Sequence, residues 1–430
     1  MNQSASRIRP GLWAVIILFG LVGQIAWVVE NMYFNVFLYN TISTDPRYIA
    51  WMVAASAVVA TLTTMGMGVF SDRIGRRRPF LILGYIFWGF SIGLFALLNA
   101  KTLAGLVSTE KMAIFLALGV ISFDCIMTFF GSTANDAAFN AYLNDAVLPD
   151  DRGKTEGVLQ TFPLIAMLLI FGFLDPLTRA GQWSLFFLII GAIPLITGLL
   201  GLILIPAEVP HPLTKERPFR ALIDGFRPET VRAQKSLYTA LLLLGILSIS
   251  IQIYMPYLII YIQNYLGIHD YTLLLGTTIL MAAVISVLAG RLMDRAGALR
   301  VFLPGLAVYL AGLTGMLFAR RQLTVLPFSI LMMSGNLILN ALAITLVRNR
   351  IPEGRAGQYQ GVRMVFAVML PMLIGPFIGS ALIRSSQATY MDLGVVKQVP
   401  TPLIFLGGII AVLFCLIPYR MLRREKGKKA

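Results

Sequence analysis

Histidine and cysteine are nearly missing from this chain, with two of each in 430 residues. Cys125 and Cys415 stand in apolar runs, and His211 and His269 in the links between such runs. That excludes a disulfide framework and a Cys/His metal cluster, which need several such residues at short spacing. It also leaves no histidine beside a nucleophile inside an apolar run, so an enzyme is not expected. No glycine-rich phosphate loop is present, which argues against ATP drive. Charge is scarce too. Asp, Glu, Lys and Arg make up 13% of the residues, against roughly 25% in soluble domains. Acids are the rarer sign, 20 against 35 lysines and arginines.

Apolar residues fill the space left. They make up 57% of the chain, and the mean hydropathy is +0.79. Runs of about 20 apolar residues, enough to cross roughly 30 Å of hydrocarbon, recur along the whole length. Such runs must be helices, because lipid offers no partner to a bare backbone amide. Twelve are predicted, at 11–39, 48–70, 80–99, 112–147, 156–178, 183–206, 237–266, 271–292, 300–319, 324–350, 358–384 and 402–420. The fold class is therefore an all-α membrane protein with twelve transmembrane helices. The polar, proline-bearing link 207–236 divides it into a bundle at 1–206 and a second at 237–430, the latter ending in a basic tail. Met1–Pro10 is too short and polar for a signal peptide, so the first helix is expected to remain in the mature protein.

The net charge of +15 does not point to nucleic acid, because the basic residues sit in short links between apolar helices. With the N-terminus inside, the inner links collect most of them: Arg73–Arg78, Arg152 and Lys154, the central link, Arg291–Arg300, Arg348–Arg355 and the tail. The outer links keep only scattered ones such as Arg47, Lys101, Arg179 and Arg384. By the positive-inside rule both termini are cytoplasmic. The protein is expected to be a monomer spanning many times a bacterial cytoplasmic (inner) membrane, with the bilayer and a small-molecule substrate as its partners.

Two echoes link the halves. Gly68-x-x-x-Asp72-Arg73-x-Gly75, followed by Arg76, lies between helices 2 and 3, and Gly290-x-x-x-Asp294-Arg295-x-Gly297 between helices 8 and 9. Pro149-Asp150-Asp151-Arg152-Gly153 with Gly157-Val158 precedes helix 5, and Pro352-Glu353-Gly354-Arg355 with Gly361-Val362 precedes helix 11. Internal repeats in this order mark many transporter folds. Twelve helices in two halves with this repeated charged hairpin resemble the major facilitator superfamily over essentially the whole chain. Gly75-Arg76-Arg77-Arg78-Pro79-Phe80 is similar to the corresponding loop of glycoside-pentoside-hexuronide cation symporters and sucrose transporters, and Asn140–Asp145 is similar to their helix-4 end. Melibiose-type sodium symporters carry paired aspartates in helix 2, where this chain has no acid from Ile49 to Phe70.

An ionisable group within a span costs a few kcal/mol or more unless it faces a cavity or a partner. The candidates are few: Glu30 in helix 1, Asp124 and Asp136 in helix 4, and Arg363 in helix 11. At 100° per residue, Asp124, Thr128, Asn135 and Tyr142 share one face of helix 4, with Asp136 and Asn140 beside it. Gln24, Asn31 and Asn35 share a face of helix 1, with Trp27 and Glu30 adjoining. Glu30 and Asp124 fall at comparable depth and could share a proton or a cation, and Asp136, closer to the cytoplasmic end, is the reserve candidate for the coupling ion. The plainer reading is that these groups only bond helices to one another, or that one acid pairs with Arg363. Asp175, before Pro176, reads as a helix-end residue. The second half offers amides and aromatics instead: Gln252 and Tyr257 in helix 7, Asn336 and Asn340 in helix 10. Such groups suit a neutral polyol.

The resemblance implies that helices 1, 4, 7 and 10 line a central cavity. It also implies that Gly68, Asp72, Arg73, Gly75, Arg76, Gly290, Asp294, Arg295 and Arg363 form a cytoplasmic gate. In that reading Gly68 and Gly290 let a helix approach closely, while the aspartates bond exposed amides at a helix N-terminus. The expectation is a secondary transporter working by alternating access. It takes up a sugar or glycoside with a proton, or with sodium, and uses no other cofactor. A proton-driven exporter of an amphipathic compound and a transporter-fold sensor are the alternatives.

Overall fold

The computed structural model describes residues 10–98, 109–148, 151–206, 224–268, 270–352, 356–392 and 395–429, with backbone alone for Asp72, Gly290, Asp294 and Arg295 among others. Among these residues, twelve helices are long and apolar enough to cross a membrane. They are α1 (Pro10–Thr41), α2 (Pro46–Ser71), α3 (Arg78–Leu97), α4 (Met112–Ala146), α5 (Thr155–Arg179), α6 (Trp183–Leu204), α7 (Lys235–Tyr265), α8 (Tyr271–Ala289), α9 (Leu299–Phe318), α10 (Gln322–Arg348), α11 (Gly361–Ser386) and α12 (Leu403–Glu425). The hydrophobic runs place each of them to within a few residues. Their outward faces are apolar, with Phe173, Ile203, Phe318 and Leu323 mostly exposed, as a hydrocarbon solvent requires.

Contacts divide the chain into two compact units. One holds Met1–Phe37 and Val59–Pro218; the other holds Leu38–Val58 and Phe219–Ala430. The end of α1 and the start of α2 thus belong with the second unit.

In the first unit, helices approach through glycine, as expected where both helix and lipid are apolar. A Cβ on Gly89 would fall 2.3 Å from Gly191 O, so α3 and α6 touch backbone to backbone. Gly20 lets α5 lie on α1, with Phe162 2.7 Å from where its Cβ would stand. In the second unit α11 packs on α7 in the same way. Cβ atoms on Gly375 and Gly379 would meet Gln252 at 2.5 Å and Ile253 O at 2.2 Å. These glycines serve packing, whereas Gly172 in α5 has nothing within 4 Å.

Five spans contain a wider, π-helical turn: Val29–Phe34 in α1, Ser132–Phe139 in α4, Ile170–Leu174 in α5, Tyr261–Tyr265 in α7 and Val365–Met369 in α11. The link after α11 forms an antiparallel hairpin. Its strands are β1 (Thr389–Asp392) and β2 (Val395–Gln398), and Thr389 lies opposite Gln398. Tyr39, at the end of α1, donates its hydroxyl to Gln398 O within the same unit.

The charged hairpin between α2 and α3 is a bonded structure. Gly75 ends α2 with φ +67° and is buried; Gly297, its counterpart in the second copy, has φ +85°. Both need the left-handed backbone that glycine adopts freely. Arg77 bonds Ser71 Oγ at 2.7 Å and pairs with Asp145 at 3.3 Å, and Arg78 donates to Leu202 O at 2.7 Å. The loop is therefore tied to the C-terminal ends of α4 and α6. Among the described residues, a Cβ on Gly68 would meet nothing within 4 Å. Arg73 and Arg76 are exposed. The side chains of Asp72, Asp294 and Arg295, and the site of Gly290, lie outside the described residues, and so does the latch expected of them.

Candidate functional site

The polar groups of the first unit gather between α1, α3 and α4. Thr128 donates its hydroxyl to Glu30 Oε1 at 2.9 Å. Glu30 is 7% exposed, Thr128 not at all, and Asp124, one turn away on the same face of α4, 1%. Two carboxyl groups are thus buried, one on α1 and one on α4, and a hydroxyl of α4 bonds the first. A charged carboxylate in this setting is costly unless neighbours compensate it. Such a cluster is suited to taking up and releasing a proton or a small cation.

Toward the other end of α4, Asn135 uses both ends of its amide. Its Oδ1 accepts from Trp27 Nε1 at 3.2 Å, and its Nδ2 donates to Tyr85 OH at 2.9 Å; Tyr85 in turn donates to Phe19 O at 2.5 Å. Gly23 of α1 makes room for this clamp, since a Cβ there would fall 2.1 Å from Asn135 Nδ2. Tyr85 is not among the residues expected from the sequence. A single hydroxyl in an apolar helix carries no periodic signal, and only its partner Asn135 could have pointed to it.

Beside the clamp lies an accessible polar face. Gln24, Trp27 and Asn31 are half-buried or exposed along α1, and so are Asp136 and Asn140 along α4. Asp136 accepts from Ser132 at 3.1 Å, while Asn140 bonds the carbonyls of Asp136 and Asn135 at 3.0 and 3.3 Å. The Trp27 ring lies against Trp88, centroids 5.0 Å apart. Aromatic surface and amides meet on one face here. Asn35, expected beside Gln24 and Asn31, is fully buried instead. The wide turn at Val29–Phe34 contains Asn31 and ends just before Asn35, and its extra residue shifts the face of the helix beyond it.

Asp175, read from the sequence as a helix-end residue, stands in the last turn of α5 and is buried there, 1% exposed. Tyr33 of α1 donates to its Oδ1 at 2.9 Å, and Arg179 pairs with its Oδ2 at 2.5 Å. The bond joins the wide turn of α1, which carries Glu30, to the residue just after the wide turn of α5.

In the second unit, Asn340 Nδ2 donates to Asn336 Oδ1 at 3.0 Å, and Gln252 and Asn340 are half-buried. Tyr257 is wholly buried, with its hydroxyl given to Pro376 O at 2.8 Å and Pro46 O at 3.2 Å. It supports the proline-bearing stretch of α11 rather than presenting a free hydroxyl. Arg363, half-buried in the first turn of α11, makes no ion pair among the described residues. No three His, Cys, Asp or Glu side chains converge as metal ligands among the described residues.

Comparison with known proteins bears on what such a molecule is. The family model described as the Major Facilitator Superfamily matches residues 12–376 and 240–430. No curated protein matches in sequence. Similar solved structures include a D-xylose–proton symporter, with TM-score 0.69, 15% identity, and coverage of 95% of this chain and 96% of that one. The nucleoside transporter NupG gives 0.65 at 11% identity, over 96% and 98%. An inward-facing bacterial homologue of the iron transporter ferroportin gives 0.68 at 15%, over 98% and 99%.

Proposed function

The chain belongs to the major facilitator superfamily, and from that membership we propose that it takes up a sugar or glycoside together with a proton, by alternating access. Membrane transport follows from the family and the fold; the solute and the coupling are this reading's own. The observation that carries it is the buried contact between Glu30 and Thr128, with Asp124 one turn away. A symporter must load its ion where water reaches the site on one side only, and protonation of a carboxyl group shut between helices is a reaction that burial controls.

The solute class rests on the accessible face of the first unit. Trp27, backed by the buried Trp88 at a tilt of 52°, offers an aromatic ring, while Gln24, Asn31, Asp136 and Asn140 offer donors and acceptors without a fixed positive charge. Gln252, Asn336 and Asn340 supply further amides in the second unit. A ring with C–H faces and many hydroxyls suits that inventory. Both termini are placed in the cytoplasm of a bacterial inner membrane, on the bias of the basic links.

Uptake of a panel of sugars, glycosides and nucleosides into proteoliposomes tests this, with pH and sodium gradients imposed separately. Accumulation is expected with the pH gradient. Asp124→Asn and Glu30→Gln are expected to abolish accumulation and spare counterflow, because exchange moves no net proton. Accumulation driven by sodium alone, or left intact in both variants, would overturn the coupling. Export of an amphipathic compound in exchange for protons would overturn the direction and the solute.

A further inference from the structure

The inner end of α12 carries a feature that transport does not use. A cavity of about 450 Å³ lies between α9 and the last helical segment, Leu416–Lys429, lined by Leu303, Leu416, Tyr419, Arg420, Arg423 and Arg424. Its composition is divided. Leu303 and Leu416 form an apolar wall continuous with the hydrocarbon-facing surface, where Leu303 is 42% exposed. Three exposed guanidinium groups stand at the other side. None of them makes an ion pair among the described residues. The nearest acid along the helix, Glu425, acts on Arg350, whose own guanidinium is held by Ser236 Oγ at 2.9 Å. The wall is rigid: Tyr419 stacks on the fully buried Phe302, centroids 4.5 Å apart and planes within 14°.

We propose that this cavity holds the headgroup of an anionic phospholipid of the inner leaflet, its phosphate against Arg420, Arg423 and Arg424 and its glycerol and first methylenes against Leu303 and Leu416. Guanidinium forks match phosphate oxygens, and basic pockets between spans on the cytoplasmic side select anionic headgroups. The leucines commit the site to a lipid. A soluble phosphate would gain nothing from an apolar wall, whereas an amphiphile needs both halves of the lining. The arginines near the end of the last span thereby have a local role besides setting topology.

Native mass spectrometry of the purified full-length protein tests this, titrated with phosphatidylglycerol and with phosphatidylcholine of the same chains. Preferential retention of phosphatidylglycerol is expected. Affinity should fall about fivefold for each arginine replaced in Arg420→Gln, Arg423→Gln and Arg424→Gln, and should fall in Leu416→Asn with the arginines intact. Equal retention of the two lipids, or unchanged affinity in the arginine variants, would overturn the proposal. Displacement of phosphatidylglycerol by millimolar inorganic phosphate would show a soluble-anion site and overturn it as well. Should the triple variant not fold, a photoactivatable phosphatidylglycerol is expected to label Leu303 or the segment 416–424 of the unaltered protein. Labelling confined to other segments would refute the site.

Discussion

Asn135 shows what a single side chain can decide in this bundle. Its amide joins α1 through Trp27 and α3 through Tyr85, and the space for it exists because residue 23 is glycine. Gly23→Ala puts a methyl carbon into that amide. The clamp must open, at a cost of about 1–3 kcal/mol, and the melting temperature of the purified protein should fall by several degrees. An unchanged melting temperature would mean that Asn135 can move aside freely. Asp175 makes the companion case. Tyr33→Phe removes a donor from a buried carboxylate, which should cost about 1–3 kcal/mol. Because Tyr33 and Glu30 share one wide turn, it should also shift the pH profile of uptake. A loss of stability with an unmoved profile would make the bond purely structural. The acids themselves could be found in the sequence, since ionisable residues in apolar runs are conspicuous. Thr128 could be found with them, from its place on the face of Asp124, but Tyr85 and Tyr33 could not, because they look like ordinary members of a hydrophobic helix.

At the scale of the element, the spans were legible and their interiors were not. Length and hydropathy fix where a helix crosses, since the hydrocarbon thickness sets both. The face a residue presents depends on the helical period. For α4 the regular period groups Asp124, Thr128 and Asn135, and all three are buried. For α1 the same rule groups Asn31 with Asn35, but Asn31 lies within the wide turn Val29–Phe34 and is exposed, while Asn35, just beyond it, is buried. Nothing in VENMYF announces that turn, because a π-turn is held by its surroundings and not by propensity. The glycines of α11 are the counterpart in packing. Their sequence allows either bending or close approach, and the contacts with α7 decide for approach at Gly375 and Gly379. Gly379→Val should therefore lower the melting temperature, by an amount corresponding to about 1–3 kcal/mol of overpacking. Gly172→Ala, with open space around it, should leave it unchanged. Equal effects of the two would show that helix flexibility, not contact, sets the choice of glycine.

Over the whole molecule, the two halves of the sequence carry the same devices in the same order. The repeated hairpin ends in a left-handed glycine in both copies, at Gly75 and Gly297. Wide turns recur at equivalent helices, α1 with α7 and α5 with α11. The acids do not follow the repeat, because Glu30, Asp124 and Asp136 all stand in the first half. A duplicated scaffold with a one-sided charge set fits the division of labour proposed above, with ion coupling in the first bundle and amides for the solute in both. That reading depends on which end of each helix faces the cytoplasm, and orientation is open to direct measurement. By the positive-inside rule the proposal puts the tail and the α2–α3 hairpin inside and the β1–β2 hairpin outside. Gln387 closes α11 just before β1, with φ +48° and an exposed side chain, so a cysteine there is reachable without disturbing a packed element. In a background with Cys125→Ser and Cys415→Ser, Gln387→Cys should react with an impermeant maleimide in intact cells. Arg76→Cys, exposed in the charged hairpin, should react only after permeabilisation. The reverse pattern would invert the molecule, move the Arg420–Arg424 cavity to the outer leaflet, and reverse the direction in which a proton gradient loads Glu30 and Asp124.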